Sequence, residues 1–390
     1  MERLIAASSV SLDAYQIRGL DDVLTPALAI YADVVDANVR AILRVLGGDP
    51  NRWRPHVKTA KLEFIMQGLV EAGVVDFKCA TTLELLSACR AGARDVLVAY
   101  PMQGANAARV KEMARQFPGV RVSALVEAAA GVAIWAGSTV SLFVDVNPGM
   151  NRTGVAPDRT EEVLGVVRAI RSAGLEFRGL DYYEGQLRQE NLAERTAAAH
   201  RSYDGLMKLA TALEAGGVAI PEMVTAGTPT LPCSLAYAGF RSERFMHRVS
   251  PGTVVYGDAT SLAQPPAEYG LRPAVMVVSR VVSHPVPNIV TCDAGHKSVS
   301  ADAGVPTCVV LGRPELTPLQ PSEEHLPLEV PPGAAVPAIG EFLCLLPRHV
   351  CPTVNNFDDA LIVRHGTVER VERVTARGRE TPLVLASVAH

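Results

Sequence analysis

Short apolar runs alternate with longer amphipathic stretches through the first two thirds of the chain. Runs at 27–31, 53–58, 75–80, 95–99, 120–126, 141–146, 177–182 and 223–226 predict eight strands. Stretches with 3.6-residue periodicity at 34–46, 62–72, 81–91, 105–117, 159–173 and 191–215 predict the helices between them. Thr81 and Glu84 stand at the spacing of a capping box, where hydroxyl and carboxylate satisfy each other's backbone donors. Eight strands, each followed by a helix, predict an α/β fold, a (β/α)8 barrel of TIM type. A doubly wound sheet is the alternative, but no Gly-x-Gly-x-x-Gly turn follows the first strand.

Helical periodicity stops near residue 256. Extended runs at 274–282, 289–292, 307–311, 341–346, 360–363 and 368–374 predict a mostly β C-terminal domain, with His365-Gly366 as a hairpin turn. The proline-rich stretch 314–337 reads as an exposed loop system. The expected organisation is a segment 1–24 that joins the β domain, a barrel over 25–256 and a β-rich domain over 257–390.

Composition narrows the function. A chain of 390 residues with 48% hydrophobic and 20% charged positions reads as a globular protein of two domains. A net charge of −4 offers no field for nucleic acid, and no apolar run reaches the ~18 residues that span a bilayer. The first ten residues lack a signal-peptide core, and seven scattered cysteines fit a reducing compartment, so a cytoplasmic location is expected.

The chemistry concentrates at predicted strand ends, where barrel enzymes place reactive groups. Lys58 closes the run Arg54-Pro55-His56-Val57-Lys58-Thr59. An unprotonated lysine forms a Schiff base with an aldehyde cofactor, although a lysine beside a proline also suits a salt bridge. Arg152, in the loop Asn147–Gly154, could meet a ring nitrogen or phenolate, or simply be solvated. Tyr183 follows the seventh predicted strand. Thr225, Gly227 and Thr228 close the eighth, where barrels seat phosphate, and Tyr256 offers a further contact. His349 and Cys351, two apart at the end of an extended run, project to one side and suit Zn²⁺, or else are a buried thiol beside a satisfied imidazole.

Together these motifs resemble the fold-type III pyridoxal-phosphate (PLP) enzymes of the D-threonine aldolase and D-serine dehydratase group, over nearly the whole chain. The matching stretches are Thr25-Pro26-Ala27-Leu28, Arg54 to Thr59, Val144-Asp145-Val146-Asn147 with Arg152-Thr153-Gly154, Gly227 to Thr230, Ser250 to Thr253, Asp293-Ala294-Gly295, and His349 to Thr353 with Asn355. The resemblance implies that Lys58 carries PLP and that His349 and Cys351 bind a divalent metal, zinc or alternatively manganese or magnesium. It also implies cofactor contacts from Arg152, Tyr183, Thr225, Gly227, Thr228 and Tyr256, a D-configured β-hydroxy amino acid as substrate, and a homodimer. Two residues depart from the aldolase pattern: Cys351 stands where aldolases often carry Asp, and Gln186 where the family often carries His. Retro-aldol cleavage to glycine and an aldehyde is the leading expectation, with dehydration to a 2-keto acid and ammonia as the alternative. Racemisation and non-catalytic cofactor carriage are the remaining options.

Overall fold

The computed structural model describes residue 10 and residues 12–382. β1 (Ala27–Tyr31) runs directly into α1 (Ala32–Val45), and alternation then continues with α2 (Glu63–Glu71), β2 (Asp76–Cys79), α3 (Thr82–Arg90) and β3 (Asp95–Val98). Next come α4 (Gly104–Gln116), β4 (Arg121–Val126), α5 (Ala129–Val132), β5 (Ser141–Asp145), α6 (Thr160–Ser172) and β6 (Phe177–Tyr182). The series closes with α7 (Leu192–Ala215), β7 (Glu222–Thr225), α8 (Leu231–Ala236) and β8 (Met246–Val249). Strands β2 to β8 form one parallel sheet of seven strands in chain order.

The expected closed (β/α)8 barrel is therefore corrected to a curled seven-stranded parallel sheet. The run 53–58, expected as a strand, spans the gap between the sheet's edges by single bridges, Trp53 to Val249 and His56 to Lys78. Pro55 has no N–H for a regular ladder, and its carbonyl accepts from Lys78 N at 3.0 Å. Run 27–31 was expected to open the barrel. As β1 it pairs instead with β9 (Val275–Val286) and, in parallel, with β15 (Asp359–Arg364). β8 was not foreseen, because Met-His-Arg-Val hides its inward Arg248 behind an ordinary polar pattern.

The second sheet has nine strands and adds β10 (Ile289–Cys292), β11 (Cys308–Val310), β12 (Thr317–Pro318), β13 (Leu326–Glu329), β14 (Phe342–Pro347) and β16 (Thr367–Arg373). A short helix α9 (Val350–Asn355) separates β14 from β15. The β15–β16 hairpin turns at His365 and Gly366 with φ of 51° and 72°, the doubly positive pair of a type I′ turn. Two strands, β12 and β13, lie inside the stretch 314–337 expected to be loops, because Leu326 and Leu328 are fully buried on alternate positions.

Inside the curled sheet, period-two alternation stacks three layers. At the strands' N-terminal ends Arg54 donates to Asp95 and Glu222 at 2.8 Å each, and Arg178 and Arg248 join the same carboxylates and Asp76. Above them lies an apolar layer of Leu97, Leu125, Phe143 and Val224. The C-terminal ends carry Lys78, Asp145 and Asp181, which open onto a cavity.

Candidate active site

A cavity of about 1010 Å³ lies over the C-terminal strand ends and reaches the β domain through Asp302, Arg348, His349 and Cys351. Lys58 stands in a turn after the Trp53–Val57 segment. That turn is fixed from behind: Lys61 Nζ donates to Glu84 at 3.0 Å and to the Ala376 carbonyl at 3.1 Å, and Tyr256 Oη donates to the Ala60 carbonyl at 2.7 Å. Glu84 also completes a shifted capping box, donating its own N–H to Thr81 Oγ1 while its carboxylate accepts from Ala80 N rather than Thr81 N.

Tyr183 is the floor around which charge gathers. Lys58 Nζ and Lys78 Nζ each stand 6.0 Å from its ring centroid and the Arg152 guanidinium 5.2 Å. Lys78 is neutralised by Asp181 at 2.6 Å, whereas Lys58 has no carboxylate partner among the described residues. Arg152 sits in a loop whose turn is made by Asn147 Oδ1, which accepts from Gly149 N at 2.9 Å and Asn151 N at 3.0 Å. Gly227 must lack a side chain, since a Cβ there would fall 2.8 Å from the Tyr183 ring. Burial, reinforced by Lys58, Lys78, Lys61 and Arg152, pushes His56 well below its ordinary value. His56 is thus neutral, and because Nδ1 accepts from Lys58 N at 3.3 Å, Nε2 carries the proton.

Two hydroxyls beside this cluster, Thr228 Oγ1 and Ser250 Oγ, are buried without a hydrogen-bond partner and line the cavity. Buried donors left idle are costly, so they mark a seat for an oxygen-rich anion. Gly252 lets that strand end approach, since a Cβ would fall 2.2 Å from the His56 carbonyl oxygen. Glu184, fully buried, accepts from Tyr203 Oη at 2.5 Å and ties the Tyr183 loop to Ala226 N at 3.4 Å. Burial first, opposed by these hydrogen bonds, raises its carboxyl above the ordinary value.

On the β-domain side His349 is the N-cap residue of α9 and Cys351 stands in its first turn, so they come together at a helix start rather than along an extended run. Burial opposes both charges but is outweighed: His349 is raised to about 9 by Cys351 and Asp302, and Cys351 is lowered by His349 and Lys58. Thr59 Oγ1 lies 3.1 Å from Cys351 Sγ, which places the pair one residue's reach from Lys58. A nitrogen and a sulfur donor suit a zinc-like ion, and among the described residues no third donor completes the set, so the other positions would fall to water or substrate.

The residues singled out in the sequence divide accordingly. Lys58, Arg152, Tyr183, Gly227, Thr228, His349 and Cys351 all line the cavity. Thr225 and Tyr256 do not: Thr225 Oγ1 faces Ser234 and His247 at 2.7 and 2.8 Å, and Tyr256 supports the lysine turn. Asp293 binds Thr25 and Ser279 inside the β sheet, at 2.5 and 2.7 Å, away from the cavity. Lys78, Asp181 and Asp302 were missed. For Lys78 and Asp181 the available signal was a charge inside a predicted strand, weakened because each strand carries a second one, Asp76 and Arg178.

Two family models divide the chain. The alanine racemase N-terminal domain model matches residues 30–260, and a "Putative serine dehydratase domain" model matches residues 274–363. The chain belongs to the alanine racemase N-terminal domain family. Within that family it is similar to a D-threonine aldolase of Arthrobacter sp., 29% identical over 91% of this chain and 93% of the relative. A D-threo-3-hydroxyaspartate dehydratase of Delftia sp. is 26% identical over 90% and 97%. Among solved structures, a D-threonine aldolase from Filomicrobium marinum superposes with a TM-score of 0.83 at 28% identity, covering 92% of this chain and 97% of that one. The racemase-type match thus ends shortly after β8, and the cavity is lined by residues of both matched regions.

Asp145 gives this family member a measurable pH signature. Burial first, then the Asp181 charge, raises its carboxyl from 3.8 to about 6, and its Oδ2 lacks a partner. A carboxyl raised on folding contributes stability that is complete below pH 3.8 and is lost as pH rises through about 6. In the cofactor-free protein this loss is at most about 3 kcal/mol. Asp145→Asn is expected to flatten the fall in thermal midpoint across that window, and an unchanged slope would contradict the assignment.

Proposed function

We propose that this chain is a PLP- and divalent-metal-dependent lyase acting on D-β-hydroxy amino acids, and that it performs retro-aldol cleavage of the D-threonine aldolase kind. The observation that carries the reading is that Lys58 and the His349–Cys351 pair line one cavity side by side, with Thr59 Oγ1 3.1 Å from Cys351 Sγ. Such a substrate carries its amine and its β-hydroxyl on adjacent carbons, which suits a lysine and a metal pair that lie side by side.

PLP, when bound, supplies an electron sink for charge developing at Cα, and a divalent ion, when bound, supplies Lewis acidity toward the β-oxygen. Lys58 supplies the amine that holds the cofactor. The idle hydroxyls of Thr228 and Ser250 would donate to its phosphate oxygens. Tyr183 would offer the cofactor a ring to pack against, Arg152 would supply a positive charge beside it, and neutral His56 would offer a hydrogen bond from Nε2. His349 and Cys351 would hold the ion, and their donor chemistry favours zinc. Gln186, whose amide donates to the Pro148 carbonyl at 2.8 Å, orders its loop and accepts no proton.

Cys351 favours a second reading. A thiolate in place of a carboxylate is the dehydratase pattern, in which the β-hydroxyl leaves and a 2-keto acid and ammonia form. The discriminating test is product analysis with D-threonine, D-serine and D-threo-3-hydroxyaspartate: glycine from D-threonine supports aldol cleavage, and keto acid without glycine sinks it. A cytoplasmic homodimer completes the proposal. Among the described residues no helix is long and apolar enough to cross a membrane.

A further inference from the structure

The loop from Ser298 to Gly304 leaves the β sheet and reaches the cavity wall beside α9, and none of its residues has a role in the chemistry set out above. Asp302 lies at its tip. Its Oδ2 stands 2.6 Å from His349 Nδ1. Its Oδ1 accepts from Ser300 Oγ at 2.9 Å. Ser300 N in turn donates to Thr353 Oγ1 at 3.2 Å, and Thr353 Oγ1 donates to the His349 carbonyl at 2.9 Å. These bonds close a ring, Asp302 to Ser300 to Thr353 to His349 and back to Asp302, that joins the loop to the first turn of α9.

The ring settles which nitrogen of His349 is free. Asp302 accepts from Nδ1–H, so the Nε2 lone pair is left to bind an ion, and rotation of the imidazole is blocked at its other end. A carboxylate behind a ligating histidine also raises the basicity of the ring. Asp302 and Ser300 are otherwise hard to explain: the Asp302 side chain is 47% exposed and, among the described residues, has no lysine or arginine partner. An exposed aspartate usually gains little by bonding a histidine, so a closed circuit of four residues around it points to orientation rather than to stability.

We propose that Asp302 is a positioning residue for the metal site: it fixes the tautomer and orientation of His349, and Ser300 and Thr353 fix Asp302. The inference rests on the reading that His349 and Cys351 hold a divalent ion. Asp302 does not itself take a coordination position.

The test is zinc affinity, measured by competition with a chromogenic chelator on full-length PLP-loaded protein. Wild type, Asp302→Ala, Asp302→Asn, Asp302→Glu and Ser300→Ala are compared, with the thermal midpoint of each metal-free protein alongside. Loss of such an outer partner weakens metal binding about 10–100-fold. Asp302→Ala is expected in that range, and Asp302→Asn, which still accepts from Nδ1–H without the charge, between it and wild type. Asp302→Glu should recover part of the loss, and Ser300→Ala should lose less than Asp302→Ala. Cobalt substitution adds an independent signature: Asp302→Ala retains the thiolate-to-cobalt charge-transfer band while its d–d bands change. Zinc affinities within about twofold of wild type in both Asp302→Ala and Asp302→Asn would overturn the proposal. So would a fall in affinity matched by an equal fall in the metal-free thermal midpoint across all four variants, since that is the mark of a structural residue. A wild-type protein that binds no zinc removes the metal reading itself, and the proposal with it.

Discussion

Lys58→Ala is expected to lower kcat by on the order of 10³-fold or more, because covalent catalysis through the lysine amine has no substitute in the cavity. Lys78 is the rival: it is as close to the Tyr183 ring as Lys58, at 6.0 Å each. Geometry separates them. Lys78 Nζ is committed to Asp181 at 2.6 Å within a strand that is buried throughout, whereas Lys58 is the one exposed residue of an otherwise buried turn. Borohydride reduction of the PLP-loaded protein followed by peptide mass analysis should place the cofactor on Lys58. Label on Lys78, or wild-type kcat in Lys58→Ala, would contradict the assignment.

The second large effect concerns stability. Arg54 is wholly buried and holds Asp95 and Glu222 at 2.8 Å each. Its pKa is raised further: burial opposes the charge, but Glu222 and Asp95 together outweigh it. Arg54→Met fills the volume but leaves two buried carboxylates short of a partner, and breaking such a group costs about 3–5 kcal/mol. Arg178 and Arg248 still reach the same acids, at 3.1 Å and 2.9 Å, so the lower end of that range is expected. Adding Glu222→Gln to Arg54→Met should recover part of the loss, because the two positions share one network. Urea unfolding monitored by circular dichroism measures both. A loss below about 1 kcal/mol would show that the remaining arginines suffice.

Much of the site was legible because its motifs are local. The Arg54–Thr59 stretch, the Asn147–Gly154 loop and His349 with Cys351 each carry their chemistry within a few residues, and all three meet at one cavity. What escaped is what depends on partners far away in the chain. A five-residue apolar run such as Ala27–Tyr31 looks the same in either sheet, and only its pairing with Val275–Val278 and Ala360–Val363 assigns it to the β domain. Met246–Val249 was missed because Arg248 reads as a surface charge until Glu222 and Asp76 are seen across the interior. Thr225 looked like a phosphate contact because it precedes Gly227. Strand alternation turns its hydroxyl outward to His247, and leaves the idle hydroxyls to Thr228 and Ser250. Asp302 lies 47 residues before His349, and nothing in the local sequence brings them together.

The measurement that bears most directly on a lysine and a metal pair sharing one substrate is product formation from D-threonine by the PLP-loaded protein, with and without a chelator. Glycine and acetaldehyde in equal amounts, lost on chelation and restored by zinc, are the expected result, with L-threonine untouched. Production of 2-oxobutanoate and ammonia without glycine, or glycine formation indifferent to the chelator, would contradict it.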